Sequence, residues 1–302
     1  MKKLSVVIVS YNARQYLGPC IRSVEQAMKG IDGEIIVVDN QSSDGTVEDL
    51  KAHFPQVQVV ESGGNIGFAK ANNIGIRLSH SPYVLLLNPD TVVGANTLRQ
   101  TVDFMEQHPQ VGAAGVQMLN ADGTRAPESR RGRPTALVAL YKMCGLARLF
   151  PNSHRFARYY MSWLSWSEPA EIDVISGAFA MLRRKALDQV GLLDEDFFMY
   201  GEDIDLPCRL LDAGWHNCYL PCKIVHYKGG CSDKTTVSYV RVFYKAMIIY
   251  YRKHHAQTNF CIRKLVELAI WIRALLAMIG ILPSRLVRTR VKTIITPQDL
   301  LT

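Results

Sequence analysis

Polar residues able to hold a metal ion, a phosphate or a proton stand directly behind apolar runs in this chain. The clearest case lies within Tyr83 to Thr91, where Val84 to Leu87 is apolar and Asn88, Pro89 and Asp90 follow without a spacer. Four consecutive apolar residues suit a strand buried on both faces. In an open α/β sheet, ligands gather outside the carboxyl ends of the strands, so an acid placed there faces a crevice. Asp90 is therefore the first candidate for holding a metal or a phosphate. The competing reading is that Asn-Pro-Asp is turn chemistry alone. Two other runs end the same way: Leu4 to Val9 leads into Ser10, Tyr11 and Asn12, and Ile35 to Val38 into Asp39 and Asn40. Farther along, Glu202 and Asp203 head a helix amid other acids, Asp194, Glu195, Asp196 and Asp205.

The elements that must position these side chains follow from periodicity. Leu17, Ile21, Val24 and Met28 mark a helix over Ala13 to Lys29. Asp44-Gly45 opens a second, with Val47, Leu50 and Phe54 on one face, and Val57 to Val60 reads as a third strand. Gly63, Gly64, Asn65, Ile66 and Gly67 lead into a helix over Phe68 to Ser79, and another spans Thr97 to His108 before a strand over Val111 to Leu119. Strands alternating with helices imply a parallel sheet with right-handed crossovers. Residues 124–170 read as an irregular insertion over one end of the sheet, basic at Arg125, Arg130, Arg131 and Arg133 and aromatic at Tyr159, Tyr160, Trp163 and Trp166. Regular structure should resume with a strand over Asp173 to Leu182, after which the stretch Gly191 to Asp205 opens a helix ending near Gly214. Val240, Phe243, Tyr244, Met247, Ile248 and Tyr251 form a helical apolar stripe of the kind that usually faces a core.

Composition narrows the classes. At 302 residues the chain can bury a full core, and a mean hydropathy near zero argues against a multi-span membrane protein. Of the net charge of +8, residues 251–302 account for +7, with nine Lys/Arg against Glu267 and Asp299. The nearly neutral body gives nucleic-acid binding no electrostatic support, whereas the tail suits an anionic surface. Seven scattered cysteines without a C-x-x-C pair indicate neither a disulfide framework nor a zinc site, and fit a reducing cytoplasm. The apolar run after Met1-Lys2-Lys3 is too short for a signal peptide and reads as the first strand.

Taken in order, Val9-Ser10-Tyr11-Asn12, Val37-Val38-Asp39-Asn40, Asn65-Ile66-Gly67-Phe68-Ala69, Leu87-Asn88-Pro89-Asp90, Ser176-Gly177-Ala178, Gly201-Glu202-Asp203-Ile204-Asp205-Leu206 and His226 resemble the family 2 glycosyltransferases of the GT-A fold, nearest the bacterial rhamnosyltransferase-like branch. The resemblance covers about residues 3–255. It implies a Rossmann-like nucleotide-diphospho-sugar fold with a central mixed, mostly parallel sheet and a C-terminal helical tail. The reaction implied is inverting transfer of a sugar, rhamnose among the options, from a nucleoside diphosphate to a hydroxyl of a cell-surface glycan or a polyprenyl-diphosphate-linked precursor.

By this resemblance the loop Ser10, Tyr11, Asn12 together with Asp39 holds the base and ribose, and an acid can accept from ribose hydroxyls or a pyrimidine imide N–H. Asn65 and Gly67 open a helix whose amides suit diphosphate oxygens, with Lys70 one turn in; Asn88 and Gly177 complete the donor site. The glycines lack G-x-G-x-x-G spacing, which disfavours a dinucleotide fold. The family usually presents Asp-x-Asp at the metal. Here Asn88 replaces the first acid, leaving Asp90, with His226 as a second ligand, for Mn²⁺ or Mg²⁺. Asp203 of the Glu202-Asp203 pair corresponds to the base that deprotonates the acceptor, although both acids would also suit a helix first turn without any catalytic role. Rival readings are a sugar nucleotidyltransferase, which should carry a Gly-rich, Arg-containing loop where Ser10-Tyr11-Asn12-Ala13 stands, and a catalytically silent glycan-binding or assembly subunit.

The chain thus divides into a catalytic domain over 1–255 and a basic, apolar tail over 256–302. Leu265 to Leu282 is mostly apolar but contains Glu267 and Arg273, on different helical faces. With Arg285, Arg288, Arg290 and Lys292 behind it, this segment is expected to attach the protein peripherally to the anionic inner face of the cell membrane. The alternatives are insertion into the bilayer or packing on the catalytic domain.

Overall fold

The computed structural model describes residues 2–227, 236–257 and 259–284. The chain begins with alternating strands and helices: β1 (Leu4–Ser10), α1 (Arg14–Ala27), β2 (Gly33–Asp39), α2 (Thr46–His53), β3 (Gln58–Glu61), α3 (Phe68–Leu78) and β4 (Tyr83–Leu87). It continues through β5 (Thr91–Val93), α4 (Thr97–Gln107), β6 (Val111–Leu119), α5 (Ala136–Met143), α6 (Leu146–Leu149), β7 (Ala170–Glu171), β8 (Phe179–Arg183), α7 (Arg184–Val190), α8 (Glu202–Asp212), β9 (His216–His226), α9 (Val237–His254) and α10 (Phe260–Ser284).

The nine strands form one mixed sheet in the order β3-β2-β1-β4-β8-β6-β9-β5, with β7 beside β9. β1 to β4 are parallel. β8 runs against β4 and β6, β9 runs with β6, and β5 and β7 run against β9. Six strands therefore share one direction. The register pairs Ser10 with Asp39, so the polar residues ending β1 and β2 lie side by side at the same edge. Leu4, Val6, Ile8, Val37 and Leu85 pack against α1 and α4 on one face of the sheet; Val7, Val84, Leu86 and Leu182 face α3, α7 and α8 on the other.

Several expectations change. The strand read over Asp173 to Leu182 is ordered only as Phe179–Arg183; Ser176 and Gly177 lie in the preceding loop, where Gly177 approaches Asp203. The insertion is less irregular than its composition suggested, because Thr135 caps α5 by accepting from Val138 N–H at 3.2 Å. The final helix starts at Phe260. Glu267, awkward on an apolar helix, turns inward and accepts from Arg252 at 2.8 and 2.9 Å and from Lys264 at 3.3 Å, joining α10 to α9. No described helix is long and apolar enough to cross a membrane. Arg285, Arg288, Arg290, Lys292 and Cys231 lie outside the described residues.

Candidate active site

A cavity of about 360 Å³ opens at the carboxyl ends of β1 and β4, and Asp90, His226 and Asp203 all line it. Each reaches the cavity by a different route. Asp90 follows β4 and is buried. β5 starts one residue later and pairs antiparallel with β9, placing His226 opposite Thr91, and Tyr227 N–H donates to the Asp90 carbonyl at 2.9 Å. The result is a contact of 3.2 Å between His226 Nε2 and Asp90 Oδ1, with the Asn88 amide 3.4 Å from the same nitrogen. His226 Nδ1 is buried with no hydrogen-bond partner among the described residues.

The acid–imidazole pair, with an amide beside it, is a mixed oxygen and nitrogen donor set suited to Mn²⁺ or Mg²⁺. Among the described residues no three His, Cys, Asp or Glu side chains converge into a cage. Among the described residues, Asp90 and His226 can thus supply two ligands, leaving further positions to other oxygens. That fits a cation brought together with its nucleotide.

Asp203 is presented by the N-terminus of α8, entered through Tyr200 and Gly201, both at positive φ (66° and 95°). Its Oδ2 accepts from Arg131 Nη2 at 2.6 Å and from Gly177 N–H at 3.4 Å. A Cβ on Gly177 would stand 3.2 Å from the Asp203 Cβ, so this glycine lets the loop close on the acid. Arg131 also donates to the Ile175 carbonyl at 3.0 Å, and its backbone bridges to Val174, which holds the guanidinium at the cavity wall. Burial and the neighbouring Asp203 charge push Glu202 up to about 8, making it predominantly neutral at pH 7. Asp205 behaves differently: burial opposes its ionisation, but hydrogen bonds from His254 and Arg209 at 2.7 and 2.8 Å overcome that and hold it below the usual range. It fastens α8 to α9.

At the nucleotide side, Ser10 Oγ and Asp39 Oδ1 are buried without partners among the described residues, while Asp39 Oδ2 accepts from Ser42 N–H at 2.8 Å. Unpaired polar atoms are costly when buried, so the two adjacent strand ends are suited to a polar ligand. Asn12, at φ 49°, ties its loop to residues 42 and 43, and Tyr11 is exposed at the cavity. Asn65 lines the cavity and accepts from Asn40 at 3.0 Å.

The start of α3 meets the 194–201 loop. Two amides there are engaged within the protein: Ile66 N–H donates to Asn40 Oδ1 at 3.0 Å and Phe68 N–H to the Phe198 carbonyl at 2.6 Å. Gly67, at φ 91°, has no room for a Cβ because the Phe198 carbonyl oxygen would lie 2.5 Å from it; its role is to admit the 194–201 loop. Lys70 is exposed and does not line the cavity; it stands within electrostatic reach of Glu195 and Asp196, which are held below the usual range chiefly by Asn73 and Lys253 respectively. Arg131 was visible in the sequence only as one basic residue of an insertion. Glu128, Tyr200, Tyr239 and Phe243 also line the cavity, although Phe243 belongs to the stripe that reads as core.

The model of the family described as "Glycosyl transferase family 2" matches residues 5–191. The chain belongs to glycosyl transferase family 2. This family 2 glycosyltransferase is 28% identical over 267 residues to the N-acetylglucosaminyl-diphospho-decaprenol L-rhamnosyltransferase of Mycobacterium tuberculosis, covering 84% of this chain and 85% of that one. It is 26% identical over 234 residues to rhamnosyltransferase WbbL of Escherichia coli K12, covering 74% and 82%, and lies in the rhamnosyltransferase-like branch. Among solved structures, the mannosyltransferase PcManGT of Pyrobaculum calidifontis, in complex with GDP-Man and Mn2+, superposes with a TM-score of 0.58 at 16% identity, covering 96% of this chain and 76% of that one. That likeness shows the shared GT-A fold.

Proposed function

We propose that this glycosyltransferase moves a sugar, rhamnose foremost, from its nucleoside diphosphate to a hydroxyl of a lipid-linked glycan precursor, with inversion and with Asp203 as the base. The observation that carries this reading is the convergence of Asp90, His226 and Asp203 on one cavity. The relatives named as rhamnosyltransferases, one of them acting on a decaprenol diphosphate, support the choice of sugar and acceptor. Ser10 and Asp39 take the nucleoside, and Asp90 and His226 hold Mn²⁺ or Mg²⁺. When bound, that cation neutralises charge on the departing diphosphate.

Arg131 and the Gly177 amide both engage Asp203 Oδ2, which leaves Oδ1 to take the acceptor proton. As the proton passes to Asp203, the acceptor oxygen forms its bond to the anomeric carbon. The bond from that carbon to the diphosphate breaks on the opposite face, so no protein nucleophile is needed. Nucleoside diphosphate release should be measured over a panel of nucleoside-diphosphate sugars and lipid-linked acceptors, with and without Mn²⁺. Asp203→Asn should lower turnover by about 10²- to 10⁴-fold, the usual worth of a general base. Near-normal turnover in that variant would remove Asp203 from the role.

A further inference from the structure

Two segments, each following a stretch of chain that lines the cavity, expose large apolar side chains. On α10, Leu265, Leu268, Trp271, Leu275, Leu276 and Ile279 are each more than half exposed, while Glu267, Ile270 and Ala274 form the buried stripe of this helix. On the insertion, Leu137, Leu140 and Met143 share one face of α5, and Leu149 and Phe150 follow at the end of α6, with exposures from 49% to 70%. Soluble surfaces seldom gather so many large apolar residues without an occupant.

The charges around both segments are mainly cationic, although Arg158 pairs with Asp173. No Asp or Glu occurs between Glu128 and Glu168, whereas that interval contains seven Arg or Lys, of which Lys142, Arg148, Arg155 and Arg158 are exposed. Beside α10, Glu267 is already paired with Arg252 and Lys264, and Arg273 is exposed. The two segments start from one junction. Arg133, just before α5, donates to Asp212 at 2.7 and 2.8 Å and lies 3.4 Å from His254 Nδ1, while the Pro134 carbonyl accepts from His255; α10 begins five residues later.

We propose that α5–α6 and the outer face of α10 form a two-footed docking surface for an anionic lipid membrane, so that the protein lies on the bilayer and takes an acceptor carried by a lipid. Apolar side chains flanked by cations suit a negatively charged lipid surface. A second copy of the chain is disfavoured as occupant, because matching patches would bring like charges together. Resting on the sugar-transfer reading of the cavity, the inference also accounts for the route of the chain. Glu128 and Arg131 line the cavity just before α5, and Tyr239 and Phe243 line it from α9, which leads to α10. Both feet are thus direct continuations of cavity walls.

The test is co-sedimentation of the full chain with phosphatidylcholine vesicles, with and without about one-third phosphatidylglycerol, at low and high salt. Binding to the anionic vesicles that weakens with salt is expected. The doubly substituted variants Leu137→Asp with Leu140→Asp, and Leu268→Asp with Leu275→Asp, should each lower the partition coefficient about tenfold or more. Both should release nucleoside diphosphate from donor sugar in vesicle-free buffer at the wild-type rate, which also shows that they fold. Wild-type vesicle binding by the α5 pair would overturn the two-footed surface, and absence of binding by the parent chain would overturn the docking itself. Light scattering that shows a dimer abolished by the α10 pair would assign that face to a second copy and overturn the proposal. Failure of the sugar-transfer reading registers separately, as absence of nucleoside diphosphate release.

Discussion

Glu202→Gln should separate the roles of two adjacent acids that sequence alone treats as a pair. Glu202 is buried, and burial together with the Asp203 charge pushes it up to about 8, so that it is mainly neutral at pH 7. Glutamine has nearly the same shape and the same charge as the neutral acid, and its amide replaces the carboxyl at Oε2, which already lacks a partner among the described residues. Turnover at pH 7 should therefore stay within about threefold of wild type, against the loss of about 10²- to 10⁴-fold expected for Asp203→Asn. Stability should change with pH instead. Because the folded value lies above the ordinary 4.5, the stabilising contribution of neutral Glu202 is complete below about pH 4.5 and lost as pH rises through about 8. At about 1.36 kcal/mol per pH unit, the interval corresponds to at most about 5 kcal/mol; relaxation around the buried charge should bring the observed loss to about 1–3 kcal/mol. Urea unfolding between pH 6 and 9 should show wild type weakening by that amount relative to Glu202→Gln. A hundredfold fall in turnover for Glu202→Gln, or parallel stability profiles for the two proteins, would refute the assignment of Glu202 as a neutral neighbour.

Arg131→Met should reduce kcat at least tenfold with little change in donor KM, because the guanidinium holds Asp203; Arg131→Lys should restore part of the loss, since both bonds, to Asp203 and to the Ile175 carbonyl, come from the one nitrogen Nη2 and an ammonium can donate to two acceptors. Steady-state kinetics on both variants would show this, and an unchanged kcat would count against the positioning role. Asp90→Asn removes the carboxylate from the proposed Asp90–His226 cation site, and the Mn²⁺ concentration giving half-maximal activity should rise about tenfold or more. A metal titration with unchanged midpoint would move the cation elsewhere. Gly67→Ala should cost about 1–3 kcal/mol in chemical unfolding, as both its positive φ and the Phe198 carbonyl oppose a side chain.

The comparison between sequence and structure turns on how far apart the cooperating residues lie. Asp90 was legible because the apolar run stops abruptly after Leu87, and Glu202-Asp203 because acids cluster at a helix start; both signals reside in a few neighbouring residues. The surroundings of Gly67 and Lys70 were not legible for the same reason. A glycine before a helix and a lysine in its first turn suit a phosphate locally, but the 194–201 loop, more than 120 residues away, engages the start of that helix and faces the lysine with acids.

The sequence by itself determined the strand–helix alternation, the polar ends of β1, β2 and β4, and, through the ordered motifs, the family. Only the tertiary structure decided what those ends meet. The place of β9 between β6 and β5 sets His226 3.2 Å from Asp90 although the two stand 136 positions apart in the chain, and the insertion carries Arg131 to Asp203 from 72 residues away. Apolar periodicity reports which face of an element is buried, and local residue types report turns and caps. Neither contains the order in which distant strands join a sheet, because that order is chosen by the packing of the whole core.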